Sequence, residues 1–261
     1  MRALLSFLFW CFLALSCIPL FAGALLIWLV TRPFDRVGRA LHLYTCAWAQ
    51  LYFWVNPAWH LRIEGREHLP RRGAAVLVSN HASLGDILVL FGLFSPYKWV
   101  SKASVFQVPF IGWNMRLNQY VPLVRGNSES IGRMMSACAR WLKEGVPVLL
   151  FPEGTRSPDG EMKAFKDGAF RLAIEAGSPV IPIALSGTAD VLPKHGFVLR
   201  RPADCRVRVL EAVDPRPFGG DVVALREEVR ARIARAKATL DAEVATPRPA
   251  PHGPAAPAGQ A

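Results

Sequence analysis

The segment Asn80-His81-Ala82-Ser83-Leu84-Gly85-Asp86 combines an imidazole with a carboxylate directly after an apolar run that ends at Ser79. Such a run is typical of a buried strand, and side chains that follow strands of an open α/β sheet lie at the carboxyl edge, where active sites form. Asp86 is expected about one turn into the next helix, within reach of the His81 ring. A carboxylate on one ring nitrogen fixes the tautomer and leaves the other nitrogen as a base. We therefore predict that this pair deprotonates a substrate hydroxyl; a structural His–Asp pair is the alternative.

A second polar segment, Phe151-Pro152-Glu153-Gly154-Thr155-Arg156, also follows a predicted strand. Gly154 permits the backbone angles of a tight turn, so Thr155 and Arg156 can face one pocket. The planar fork of an arginine is well suited to holding a phosphate. Glu153 is expected either to accept a hydrogen bond from a substrate hydroxyl or to pair with Arg156. The turn is thus a predicted phosphate-binding site.

The two motifs, separated by about 70 residues, resemble the NHxxxxD and FPEGTR motifs of the glycerolipid acyltransferase family. The similarity covers roughly residues 62–211. It implies transfer of a fatty acyl chain from a thioester to the sn-2 hydroxyl of lysophosphatidic acid, which forms phosphatidic acid. Other acceptors remain open: a lyso-ornithine lipid, another lysophospholipid or glycerol-3-phosphate.

Three further blocks resemble the family. Tyr120–Arg125 matches the block whose arginine is a phosphate ligand, although Val124 stands where the family commonly has an acidic residue. Lys102 is a candidate second cation for the same phosphate, with a plain surface lysine as the alternative. Val180–Ile183 matches a block that shapes the acyl site, and a buried strand is the equally supported interpretation. The implied substrate-binding set is Lys102, Arg125, Glu153, Gly154, Thr155 and Arg156.

The resemblance implies direct transfer with no protein nucleophile, metal or other cofactor, and with acyl-CoA or acyl carrier protein as co-substrate. His81 takes the proton of the attacking hydroxyl, and Asp86 orients the ring. The six histidines are dispersed without metal-ligand spacing (His42, His60, His68, His81, His195, His252). A membrane-anchored hydrolase would need a nucleophile, for which Ser83 is the one serine worth testing. A catalytically inactive basic membrane scaffold is a third interpretation.

These motifs require a sheet that carries them. Short apolar runs predict six strands at residues 74–79, 97–100, 120–124, 147–151, 180–185 and 206–212. Helical patterns lie between several of them, which predicts a mixed, mostly parallel sheet covered by helices. One helix is expected between an N-cap at Ser128 and a C-cap at Gly145. A last amphipathic helix is expected over residues 222–240, with a basic face that is either solvated or in contact with membrane or carrier protein.

The N-terminal segment predicts a membrane protein. Residues 3–30 carry no charge, and about 20 apolar residues suffice to cross a bilayer. Arg32, Arg36 and Arg39 follow, so the positive-inside rule places the remainder on the cytoplasmic face of a bacterial-type inner membrane. Pro19 can kink or break this helix, which would allow a re-entrant insertion. A cleaved signal peptide is the alternative.

A second uncharged run, residues 40–55, is rich in aromatic residues and predicts a helix in the membrane interface, with a buried core helix as the alternative. We therefore divide the chain into membrane-associated helices over residues 1–58, a catalytic domain over 59–244 and a disordered tail over 245–261, a region with five prolines near its end. The net charge of +11 indicates anionic partners, and the scattered basic residues favour a lipid surface over nucleic acid. Five cysteines without a CxxC pair predict neither disulfides nor a metal site.

Overall fold

A computed structural model describes residues 2–157, 160–192, 198–199 and 202–245. In these ranges strands alternate with helices. The strands are β1 (Trp59–Glu64), β2 (Val76–Ser79), β3 (Lys98–Lys102), β4 (Val121–Leu123), β5 (Val148–Leu150), β6 (Val180–Ser186) and β7 (Ala203–Val209). The α-helices are α1 (Arg2–Thr31), α2 (Arg39–Val55), α3 (Gly85–Phe91), α4 (Ile111–Leu117), α5 (Ser128–Lys143), α6 (Gly168–Glu175) and α7 (Val222–Ala245).

The strands form one sheet in the order β1-β7-β6-β2-β5-β3-β4. The five strands from β6 to β4 run parallel, whereas β7 is antiparallel to β6 and pairs in parallel with β1. The predicted mixed, mostly parallel sheet is therefore confirmed. Its parallel part aligns the carboxyl ends of five strands along one edge.

Helices cover both faces of this sheet, which explains why the central strands are continuous apolar runs. Leu77 and Leu149 pack on the face covered by α2 and α3. Val76 and Val148 point to the opposite face, against α5, α6 and α7. The predicted apolar stripe of α7 lies in this second cluster, where Leu225, Val229, Ile233, Ala236 and Leu240 are buried.

Three local predictions need correction. The edge strand β1 was not expected, because its sequence Trp-His-Leu-Arg-Ile-Glu alternates apolar and polar residues instead of forming an apolar run. The N-cap of α5 is Asn127 rather than Ser128: the Asn127 side chain accepts a hydrogen bond from Ser130 N at 2.7 Å. The last strand lies at Ala203–Val209, three residues before the predicted range.

Of the two N-terminal helices, the first confirms the predicted apolar segment, and the second differs from expectation. α1 is continuous through Pro19 and is, within the described residues, the one helix long and apolar enough to cross a membrane. α2 buries one face in the core, including Leu41, Cys46 and Tyr52, so the buried core helix describes it better than an interfacial one. Ala245, the first residue of the predicted tail, ends α7, and the rest of that tail, His195 and His252 lie outside the described residues.

Candidate active site

Loops after all five parallel strands meet at the carboxyl edge of the sheet. His81 follows β2, and the segment 151–156 follows β5. Lys102 ends β3, Arg125 follows β4 by two residues, and Thr188 follows β6. Because β2 lies between β6 and β5, the His81 loop contacts a loop on either side.

His81 and Asp86 form the predicted pair. His81 Nδ1 lies 2.7 Å from Asp86 Oδ2, and the aspartate side chain is fully buried. The same oxygen accepts hydrogen bonds from the N–H groups of Ala82 and Ser83 at 2.7 and 2.9 Å, and Oδ1 accepts one from the Thr188 hydroxyl. A carboxylate oxygen accepts hydrogen bonds, so the contact with Asp86 places the ring proton on Nδ1 and leaves the lone pair on Nε2.

The loop after β5 holds His81 in place. The His81 ring stacks on Phe151 with centroids 4.1 Å apart and an interplanar angle of 20°. The carbonyl of His81 accepts a hydrogen bond from Ser157 N at 2.9 Å, and its N–H donates to Glu153 Oε1 at 2.8 Å. One face of the imidazole ring and the main chain of His81 are therefore constrained by tertiary contacts.

Glu153 does not have either role predicted from the sequence. It is 4% exposed, and its second oxygen, Oε2, accepts a hydrogen bond from Lys163 N at 3.1 Å. Burial raises the pKa of this carboxyl, while the two backbone N–H donors oppose the rise. The carboxylate therefore joins two backbone segments instead of pairing with Arg156 or facing a substrate hydroxyl.

Asn80 and Ser83 complete the support of the loop. The Asn80 side chain exchanges two hydrogen bonds with the backbone of Leu185 in β6, at 2.8 and 3.1 Å. The Ser83 hydroxyl donates to the carbonyl of Thr188 at 2.8 Å and accepts from Gly85 N at 2.9 Å. A hydroxyl with both functions occupied by backbone groups is not available as a nucleophile.

His81 lines a cavity of about 770 Å³, and three of the predicted cations line the same cavity: Lys102, Arg125 and Arg156. Lys166 is a fourth lining cation that the sequence analysis missed. Gly154 lines the cavity, whereas Thr155 and Glu153 are not among its described lining residues. Among those residues there is no carboxylate, so the cavity is suited to an anion.

The rest of the cavity wall is apolar. Trp48, Tyr52, Phe91 and Met115 lie deep in the wall, and Trp10 and Leu13 of α1 complete it. An apolar cavity that is also lined by cations and a base matches an amphiphile that carries a phosphate. The block Val180–Ile183 is a buried central strand outside this lining, so the core-strand interpretation holds for it.

This combination of a mixed sheet, a His–Asp pair and a cation-lined apolar cavity defines an acyltransferase class, and comparisons with known proteins agree. The family model described as Acyltransferase matches residues 60–186. Proteins of Brassica napus and Chlamydomonas reinhardtii, both named 1-acyl-sn-glycerol-3-phosphate acyltransferase, are 37% and 40% identical over 77% and 82% of this chain. This chain spans 57% and 64% of their lengths.

A solved structure extends the comparison to the fold. The 1-acyl-sn-glycerophosphate acyltransferase of Thermotoga maritima matches with a TM-score of 0.75 and 26% sequence identity, covering 92% of this chain and 95% of that one. The chain belongs to the glycerolipid acyltransferase family. The resemblance seen in the two motifs is confirmed.

Proposed function

We propose that this protein transfers a fatty acyl chain from a thioester to the sn-2 hydroxyl of lysophosphatidic acid, forming phosphatidic acid. The observation that carries the proposal is the position of His81. Its ring is held by Asp86 at 2.7 Å and lines a cavity with apolar walls and four cations. The names of the relatives from Brassica, Chlamydomonas and Thermotoga support the same activity.

In the proposed reaction, Nε2 of His81 accepts the proton of the acceptor hydroxyl as its oxygen attacks the thioester carbonyl. Asp86 stabilises the imidazolium that forms. The tetrahedral intermediate collapses, the carbon–sulfur bond breaks, and the imidazolium returns its proton to the leaving thiolate. Lys102, Arg125 and Arg156 hold the phosphate of the acceptor, so its hydroxyl is delivered to the base.

This reaction needs no cofactor, because acid–base chemistry and substrate positioning account for each step. It also needs no enzyme nucleophile. The occupied hydroxyl of Ser83 argues against the hydrolase alternative, since a covalent intermediate on that oxygen would break two hydrogen bonds. The cationic lining argues for an acceptor with a phosphate over a lyso-ornithine lipid. Acyl-CoA and acyl carrier protein are both proposed donors.

We further propose that the protein lies on the cytoplasmic face of a bacterial-type inner membrane, with α1 in one leaflet. α1 contacts the rest of the protein along much of its length: Ser6 Oγ accepts a hydrogen bond from Leu199 N, and the Phe9 and Phe21 rings contact Trp59 and Trp113. A helix with these contacts cannot cross the bilayer alone, because the domain bound to it would have to enter the bilayer as well. Its exposed leucines are free to face lipid tails: Leu4, Leu5, Leu8, Leu15, Leu26 and Leu29.

The test is an assay of the purified protein with lysophosphatidic acid and both donors, read by mass spectrometry of the lipid product. Parallel reactions contain a lyso-ornithine lipid, other lysophospholipids and glycerol-3-phosphate. We expect phosphatidic acid from lysophosphatidic acid and little product from the acceptor without phosphate. Release of free fatty acid without acylation of any acceptor would overturn the proposal.

A further inference from the structure

Lys166 lies beside the Phe151–Arg156 turn although it is ten residues beyond it in the chain. Its N–H donates to the carbonyl of Pro152 at 2.9 Å, so its main chain is fixed against the turn. Nearby, Lys163 N is held by Glu153 Oε2 at 3.1 Å. These two bonds attach the segment 163–166 to the loop that positions His81. Lys166 therefore has a defined location relative to the base.

The side chain of Lys166 passes close to the α-carbon of Gly154. A Cβ built on Gly154 would lie 3.0 Å from both Cε and Nζ of Lys166. Gly154 also has a φ of +71°, which favours glycine by itself. Gly154 thus adopts the backbone angles that the turn requires. Its missing side chain leaves the space through which the Lys166 ammonium group reaches the cavity.

The electrostatic setting of Lys166 favours an anion. Lys102, Arg125 and Arg156 line the same cavity, and its described lining residues include no carboxylate. Within the described residues, no salt bridge to Lys166 is present, whereas several cations of α7 are paired with acidic neighbours. Four cations that line one cavity repel one another, and a bound dianion relieves that repulsion.

We propose that Lys166 is a fourth phosphate-binding residue of this site. The inference rests on the proposed function, because that function supplies phosphate-bearing substrates. Two substrates carry this chemistry: the phosphomonoester of the acceptor, and the phosphates of a coenzyme A donor. The Nζ group donates charge-assisted hydrogen bonds to the phosphate oxygens and takes no part in proton transfer.

The experiment compares Lys166→Met with wild type. Removing one charge-assisted contact predicts a rise in KM of about tenfold to a hundredfold for the substrate whose phosphate Lys166 holds, with kcat changed much less. One arm compares lysophosphatidic acid with monoacylglycerol, and the other compares acyl-CoA with the acyl thioester of pantetheine, which lacks its nucleotide phosphates. Lys143→Met, an exposed lysine at the end of α5, is the matched control and should leave both KM values unchanged.

A KM effect confined to the phosphate-bearing member of either pair supports the proposal and identifies the source of the phosphate. Equal effects on both members of each pair, or no effect, overturn it. Binding of lysophosphatidic acid and of coenzyme A to the His81→Ala protein, with and without Lys166→Met, separates the two proposals. Weaker binding of either ligand in the double variant supports the phosphate contact even if wild type acylates no lysophosphatidic acid, and unchanged binding of both ligands refutes it.

Discussion

Glu153 contacts His81 through the main chain and not through the ring: Oε1 accepts a hydrogen bond from the His81 N–H at 2.8 Å across 72 positions of sequence. Oε2 is bound to Lys163 N at 3.1 Å. One buried carboxylate thereby connects His81, the Phe151–Arg156 turn and the segment that leads to Lys166. Glu153 is a positioning residue in this arrangement.

Replacing Glu153 with glutamine should lower kcat by about tenfold or more with a smaller change in KM. The amide oxygen can still bind one N–H, but the NH₂ group then faces the second N–H, which leaves a buried donor unpaired and lets the His81 loop shift. Steady-state kinetics with lysophosphatidic acid tests this. A larger effect on KM than on kcat would instead assign Glu153 to substrate binding.

The raised pKa of Glu153 makes a separate prediction about stability. Its carboxyl binds a proton more tightly in the folded state, so its contribution to the unfolding free energy is fully present below its ordinary pKa of 4.5 and is lost as pH rises through the raised folded value. Wild type should therefore lose stability relative to Glu153→Gln as pH rises through that window. Denaturant unfolding of both proteins at a series of pH values measures the difference, and a constant difference would contradict the prediction.

His81→Ala should reduce kcat by about 10²- to 10⁴-fold, the usual contribution of a general base. Asp86→Asn should cause a comparable loss. The NH₂ group of the new amide would face hydrogen-bond donors that now contact the carboxylate, and the side chain would no longer fix the Nδ1–H tautomer of His81. Melting temperatures of the variants close to that of wild type would show that the loss of kcat does not come from unfolding. A wild-type rate in either variant refutes the assigned roles.

Ser83→Ala should keep acyl transfer within a few-fold of wild type while lowering stability by about 1 kcal/mol, because two hydrogen bonds to backbone groups are lost. His81→Ala, measured in parallel, sets the scale of a catalytic loss. If removing the Ser83 hydroxyl abolished turnover as completely as removing the imidazole, direct transfer would be refuted in favour of a covalent route.

Lys98 is buried and donates to the carbonyls of Val37 and Asn118, each at 2.6 Å, above the ring of Trp141. Burial lowers its pKa from 10.5 to about 8, with Asp35 and Glu144 opposing the shift. Lys98→Met should cost on the order of 2 kcal/mol, because two carbonyls lose their donor.

The pH dependence of this loss has a defined sign. Between about 8 and 10.5 the unfolded chain binds the Lys98 proton more tightly than the folded one, so wild type gains stability relative to Lys98→Met as pH rises. Chemical denaturation of both proteins at pH 7.5 and at pH 9.5 measures this difference in unfolding free energy. The ionic strength is the same at both pH values. An advantage that shrinks with pH would contradict the assignment of the lowered pKa.

The sequence by itself was sufficient for features that depend on neighbours along the chain. Apolar runs of strand length predicted β2, β5 and β6. The residues directly after β2 and β5 then gave His81 and the Phe151–Arg156 turn as candidates. The pairing of His81 with Asp86 is also local, since the two residues are five apart. These features can be predicted from the sequence because they depend directly on periodicity and on the spacing of residues along the chain.

Only the tertiary structure decided contacts that depend on strand order. The order β6-β2-β5 places Thr188 and Glu153 on either side of the His81 loop, and nothing in the local sequence of either residue indicates that neighbour. Lys166 joins the cavity because the segment ten residues beyond the Phe151–Arg156 turn folds back over Gly154, a contact that periodicity and spacing do not predict. α2 is aromatic enough for a membrane interface, yet its packing against the sheet buries it, since burial depends on what lies opposite a helix and not on its composition alone.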